Sequence, residues 1–218
     1  MSAQRNSDSV PAASSSSWQS ARLLVTDEFA APPVILRVGD SVIGTLGNFS
    51  ASTGKAKSKK TFNVCAIVAA AMTGGTVLNY SASLPPRKRR ILYVDTEQSR
   101  FHCKRVLCRI LRLAGLPTDA HPPLLEFLCL RGYATKERLR KIEEAIYDLD
   151  NLGLVVIDGI RDLAHDINSP GEATDLITKL MQWTDERRIH IHTVLHLNKG
   201  DDNTRGHLGT ELNNKAET

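Results

Sequence analysis

The residues of this chain whose types and spacing suit chemistry on phosphates are a run of lysines in a small-residue loop, two carboxylates closing short apolar runs, and a histidine closing a third. Gly54-Lys55-Ala56-Lys57-Ser58-Lys59-Lys60-Thr61 follows the pattern G-x-x-x-x-G-K-[ST] at every fixed position except one, where Lys59 stands for the second glycine. In such a loop, backbone N–H groups cradle phosphates, Lys60 reaches the β- and γ-phosphates, and the Thr61 hydroxyl ligates Mg²⁺. ATP and Mg²⁺ are the ligands this pattern predicts. A solvated lysine-rich loop has the same composition, so the motif alone leaves both readings open. Two further features favour the first. Leu154-Val155-Val156-Ile157-Asp158 is an apolar strand ending in a carboxylate suited to holding Mg²⁺ with Thr61, and Asp95-Thr96-Glu97 ends another strand. There Glu97 would orient or deprotonate the water that attacks the γ-phosphate. Lys59 lacks the φ freedom of glycine, which predicts a reshaped loop or weaker nucleotide binding.

These groups need strands and helices to position them, and the hydrophobic pattern supplies both. Val34–Val38 and Ser41–Leu46 around Gly39-Asp40 predict a β-hairpin leading into the first core strand. A polar loop from Asn48 to Lys60 follows, then a buried helix over Thr61–Met72. Arg90–Asp95, Leu124–Leu130, Leu154–Asp158 and His190–Leu195 read as strands of a parallel sheet. Between them, helices are predicted around Val106–Ala114, over Thr135–Leu149 with Thr135 as N-cap, and over Glu172–Glu186. The fold class is α/β, a mainly parallel sheet flanked by helices with an N-terminal β-hairpin. Asp95, Asp158 and His196 then fall at one sheet edge, the carboxyl ends of the strands.

Composition narrows the class further. With 218 residues, 41% of them hydrophobic and 24% charged, the chain can bury one core. The Ser-rich residues 1–20 read as a flexible tail and residues 21–218 as the folded domain. No apolar run approaches about eighteen residues and no signal peptide is present, so a membrane protein is excluded and a cytoplasmic one expected. Four cysteines without a C-x-x-C pair indicate neither a disulfide framework nor zinc. The net charge of +4 points to polyanions only if it is clustered. Arg87–Arg90 and the cations Arg138, Arg140 and Lys141 are read as solvated surface. His190 and His192 share a strand face, but a metal there would need a third ligand that the sequence does not offer.

With these motifs in this order, the chain resembles the RecA-like P-loop ATPases, in particular hexameric replicative helicases of the RepA and DnaB type and related ATPases of plasmids and mobilisable elements. The resemblance covers Val34 to Thr218. It implies that Glu97 is the catalytic glutamate, that Asp158 is the Mg²⁺ aspartate, and that His196 senses the γ-phosphate that Lys60 reaches. It implies also that Gly200–Gly209 is a mobile loop meeting single-stranded DNA in the channel of a homo-oligomeric ring, a hexamer in that family. Lys199 and Arg205 are its expected phosphate contacts, with Lys199 divided between that role and reaching the neighbouring subunit's γ-phosphate, and Lys215 falls in the same basic stretch. Family members carry further strands beyond this point, which the resemblance implies this chain lacks. The implied function is an ATP-hydrolysing motor on single-stranded DNA in replication or mobilisation of a mobile element. The alternative, motivated by Lys59, is a nucleotide-binding regulatory or assembly module without turnover. A small-molecule P-loop kinase is disfavoured, since no arginine-rich lid helix follows Asp158.

Overall fold

The computed structural model of the chain describes residues 17–55, 58–196 and 206–217. By contact the chain divides into two units, residues 1–31 and 32–218. In the first, Ser17–Ala21 forms one 3₁₀ turn and residues 18–31 are exposed. The second contains, in chain order, β1 (Val34–Val38), β2 (Ser41–Thr45), β3 (Phe49–Gly54), α1 (Lys60–Thr73), β4 (Thr76–Val77), β5 (Tyr80–Ala82), β6 (Arg90–Asp95), α2 (Arg100–Leu113), β7 (Leu125–Cys129), α3 (Thr135–Asp148), β8 (Leu152–Asp158), α4 (Pro170–Arg187), β9 (His190–His196) and α5 (Gly206–Lys215). No helix among the described residues is long and apolar enough to cross a membrane.

Five strands form one parallel sheet in the order β3-β9-β8-β6-β7. Because side chains alternate along a strand, each central strand feeds two cores. Ile91, Tyr93, Leu154, Val156 and Val194 pack with α1, α2 and the small sheet on one face. Leu92, Val94, Val155, Ile157 and Ile191 pack with α3, α4 and α5 on the other. Helix α1 is alanine-rich and buried nearly all round from Val64 to Met72, as a helix covered on several sides must be. It ends on Gly74 in the left-handed conformation, whose N–H bonds Ala70 O.

The hairpin of β1 and β2 forms as expected, but it belongs to a second, antiparallel sheet of order β2-β1-β5-β4. The strand that enters the phosphate loop is β3, cut from the first half of the loop expected over Asn48–Lys60. Its serines conceal it in sequence, and its partner explains it. Ser50 and Ser52 lie against the histidines of β9, where His190 and His192 point into the sheet interface rather than towards a metal. Four hydrogen bonds fix the order of protons. His190 Nδ1 lies 2.8 Å from Thr45 O, an acceptor only, so Nδ1 carries the proton and Nε2 accepts from the Ser50 hydroxyl at 2.8 Å. Ser50 Oγ then accepts from His192 Nδ1 at 2.9 Å, and His192 Nε2 accepts from Ser52 at 2.9 Å. Burial pushes His190 down to about 4 and His192 to about 3, so both rings are neutral. Gly44 is the space this chain requires, because a Cβ there would stand 2.8 Å from His190 Nε2.

Other expectations change where tertiary partners intervene. Ala134, not Thr135, caps α3, and its N–H donates to Glu137 Oε2 at 3.3 Å. Arg138 is not a free surface charge. Its guanidinium donates to Leu130 O, Arg131 O and Asp162 O, fastening α3 to the loops beside it. In the Arg87–Arg90 run, Lys88 bonds Arg187 O, Arg89 bonds Met72 O and Arg90 faces Glu126. Three of those four cations are clamps. The segment expected as a mobile DNA loop is helical from Gly206 onward, with Leu208 and Leu212 fully buried and Lys215 in its last turn. Apolar residues at a four-residue spacing dock it on α4, a packing that its glycines obscure in sequence.

Candidate nucleotide site

Lys60, Thr61, Glu97 and Asp158 meet at the carboxyl ends of β3, β6 and β8, where they line a cleft of about 680 Å³. Register makes this meeting possible. Asp95 stands opposite Asp158 across β6 and β8, while Gly54 stands opposite His196 across β3 and β9. His196 thus ends its strand beside the phosphate loop. Ala56, Lys57, Lys199 and Arg205 lie outside the described residues.

Lys59 adopts φ 63°, ψ 21°, the left-handed conformation that the missing glycine would take without strain. At this one position the backbone therefore takes the conformation the motif requires, with the strain carried by Lys59. Helix α1 begins at the next residue with no side-chain cap, so its start beside the cleft is suited to an anion. Lys60 is 8% exposed, and its ammonium donates to Gly54 O at 2.6 Å, Lys55 O at 2.7 Å and Ser58 Oγ at 3.2 Å. All three N–H bonds are thus spent on the loop. Burial lowers the pKa of Lys60, while the nearby carboxylates of Asp158 and Glu97 oppose that fall.

Asp158 Oδ2 accepts from Tyr93 Oη at 2.9 Å and from Thr61 Oγ1 at 3.2 Å. Burial nevertheless raises it to about 6, with Asp95 and Glu97 adding like charge. A buried carboxylate beside a hydroxyl, both hard oxygen donors, fits Mg²⁺, an ion usually held by one or two carboxylates with phosphate oxygens. Asp95 does different work from Asp158. Its Oδ1 accepts the N–H groups of Glu97 and Gln98 at 3.0 and 2.7 Å, and its Oδ2 accepts from Gln98 Nε2 at 2.8 Å. This turn brings Glu97 to the cleft. Gly159, at φ 101°, makes room on the other side, since a Cβ there would stand 2.2 Å from Thr96 Oγ1 and 3.0 Å from Glu97 Cγ.

Tyr93, Gly159 and the α2 residues His102, Arg105 and Arg109 also belong to this site, although no sequence motif singles them out. Arg105 and Arg109 carry a readable signal, two cations one helical turn apart just after the Glu97 loop. Tyr93 carries none, because it occupies an apolar position of a buried strand. The family profile described as an AAA domain matches residues 19–202. No curated protein matches the sequence.

Proposed function

The chain belongs to the AAA domain family, a family of P-loop ATPases, and from that premise we propose that it hydrolyses ATP to drive movement along single-stranded DNA. The observation that carries the ATPase half is the convergence of Lys60, Thr61, Glu97 and Asp158 on one cleft. In this reading Lys60 exchanges the loop carbonyls for β- and γ-phosphate oxygens, and His196 senses the γ-phosphate. Thr61 and Asp158 hold Mg²⁺, which supplies neutralising charge to the phosphates when bound. Glu97 orients a water whose oxygen attacks the γ-phosphorus and whose proton passes to the carboxylate, while ADP leaves. The DNA half rests on the resemblance to RepA- and DnaB-type helicases, as do a homo-oligomeric, hexameric ring, DNA contacts at Lys199 and Arg205, and a role in replication or mobilisation of a mobile element.

Phosphate release with and without single-stranded DNA tests this reading. Glu97→Gln should keep nucleotide affinity while slowing hydrolysis by at least about a hundredfold. An unchanged rate would remove Glu97 from the mechanism. A wild-type chain that binds ATP without turnover would instead be the regulatory or assembly module.

A further inference from the structure

Helix α2 carries five cations, Arg100, Lys104, Arg105, Arg109 and Arg112, and no carboxylate. The whole chain has a net charge of only +4, so the unbalanced charge of α2 accounts for all of it and the rest of the chain is close to neutral. Helices α3 and α4 are mixed in charge. Arg140 pairs with Glu144 within α3, and Lys179 of α4 pairs with Glu143 of α3. Among the described residues, Arg100, Lys104, Arg105 and Arg112 have no such partner.

The helical repeat sorts this charge onto one side. Cys103, Val106, Ile110 and Leu111 are buried against the sheet. Phe101, Lys104, Arg105, Cys108 and Arg112 therefore share the outer face, where they line a groove of about 410 Å³. Arg105 and Arg109 line both this groove and the nucleotide cleft, so the two are continuous. At the head of the row Phe101 is 69% exposed, with His102 edge-on at 5.4 Å between ring centres. A large aromatic left in water beside a row of unpaired cations is the pairing that single-stranded nucleic acid requires, cations for phosphates and a ring face for a base.

We propose that the outer face of α2 is a track for single-stranded nucleic acid, in which Lys104, Arg105 and Arg112 meet backbone phosphates and Phe101 stacks on a base. This rests on the reading of the chain as a motor on single-stranded DNA and adds a surface to it. From Phe101 to Arg112 the row is about 17 Å long, at about 1.5 Å of rise per residue, enough for several nucleotides. A duplex would offer no free base face to Phe101. An acidic helix would find only Phe101 and Cys108 as apolar contacts between the cations of the outer face.

The test is titration of the full chain with a labelled oligothymidylate across a salt series. Lys104→Ala with Arg112→Ala should reduce the magnitude of the salt slope by about 1.4, which is about 0.7 for each phosphate that is no longer neutralised. Lys104→Arg with Arg112→Lys should restore it. Phe101→Ala should weaken binding roughly tenfold with little change in slope. These three side chains lie outside the nucleotide cleft, so nucleotide affinity should hold in every variant and report an intact fold. If the wild type binds and all variants match it, the strand runs elsewhere and the proposal falls while the motor reading stands. If the wild type does not bind, both fall. If the variants lose self-assembly by sedimentation but keep their DNA affinity, the face joins copies of the chain and the proposal is overturned.

Discussion

Strands β3 and β9 carry a polar cluster at each end, and the two are built in opposite ways. At the entry end, Ser50, Ser52, His190 and His192 are joined in one direction of hydrogen bonding that ends on Thr45 O, and every ring nitrogen has a partner. At the exit end, about 13 Å along β3 from Ser50, Lys60 is turned back onto its own loop and Asp158 sits among Asp95 and Glu97. The first cluster is satisfied internally and stabilises the fold. The second holds like charges together beside an uncapped helix start and a left-handed lysine, an arrangement that cation and phosphate would relieve. The proposed nucleotide site thus lies where the fold holds like charges together.

The comparison breaks most visibly at Lys60. Lys60→Ala should remove measurable nucleotide binding in a fluorescent-nucleotide titration, whereas Lys55→Ala should leave most of it. Equal losses would remove the distinction between the two lysines. At the other end, Ser50→Ala should leave nucleotide affinity intact and cost about 3 kcal/mol of stability in denaturant unfolding, because it strands two buried imidazole nitrogens at once. A loss below about 1 kcal/mol would mean that water replaces the hydroxyl.

Asp158→Asn should act in the opposite sense on the fold. Raising the carboxyl from 3.8 to about 6 corresponds to roughly 3 kcal/mol against the ionised form, so the variant should be more stable near neutral pH without Mg²⁺ or nucleotide, while losing Mg²⁺ dependence. The pH dependence of stability separates the two clusters. The folded-state pKa values of both histidines lie below the ordinary 6.5, so the unfolded chain takes up their protons first and stability falls as pH drops from 6.5 towards 4. Asp158 has a raised folded pKa, so its contribution is greatest below 3.8 and is lost as pH rises through 6. Between pH 6 and 4 the wild type should lose about 1.4 kcal/mol per pH unit, and Asp158→Asn about 2.7, since the opposing group is gone. Equal slopes would show that Asp158 titrates normally.

The smallest effect is expected at Lys59. Lys59→Gly removes a left-handed strain of about 1 kcal/mol and should tighten nucleotide binding severalfold or stabilise the free chain by that amount. No change in either would mean that lysine holds this conformation without cost.

By itself the sequence determined what local pattern can carry. Buried strands announce themselves as apolar runs, helices as a repeat near 3.6, and strand ends as the place where Asp158 and Glu97 change character, so the α/β order and the grouping of Lys60, Thr61, Glu97 and Asp158 were legible in one dimension. Tertiary structure alone decided the features whose reason lies far along the chain. β3 is a core strand because His190 and His192, 140 or more residues away, satisfy its serines. Tyr93 reaches Asp158 across 65 residues, and Arg138 of α3 reaches Asp162 across 24. Gly206–Lys215 is a buried helix because α4 offers it a surface. Among the described residues the outer face of α2 is uncovered, and only the placement of its buried side shows that Arg100, Lys104, Arg105, Arg112 and Phe101 were left to solvent. A one-dimensional pattern records which residues avoid water, but the partner that satisfies a polar group is chosen by the folded chain as a whole.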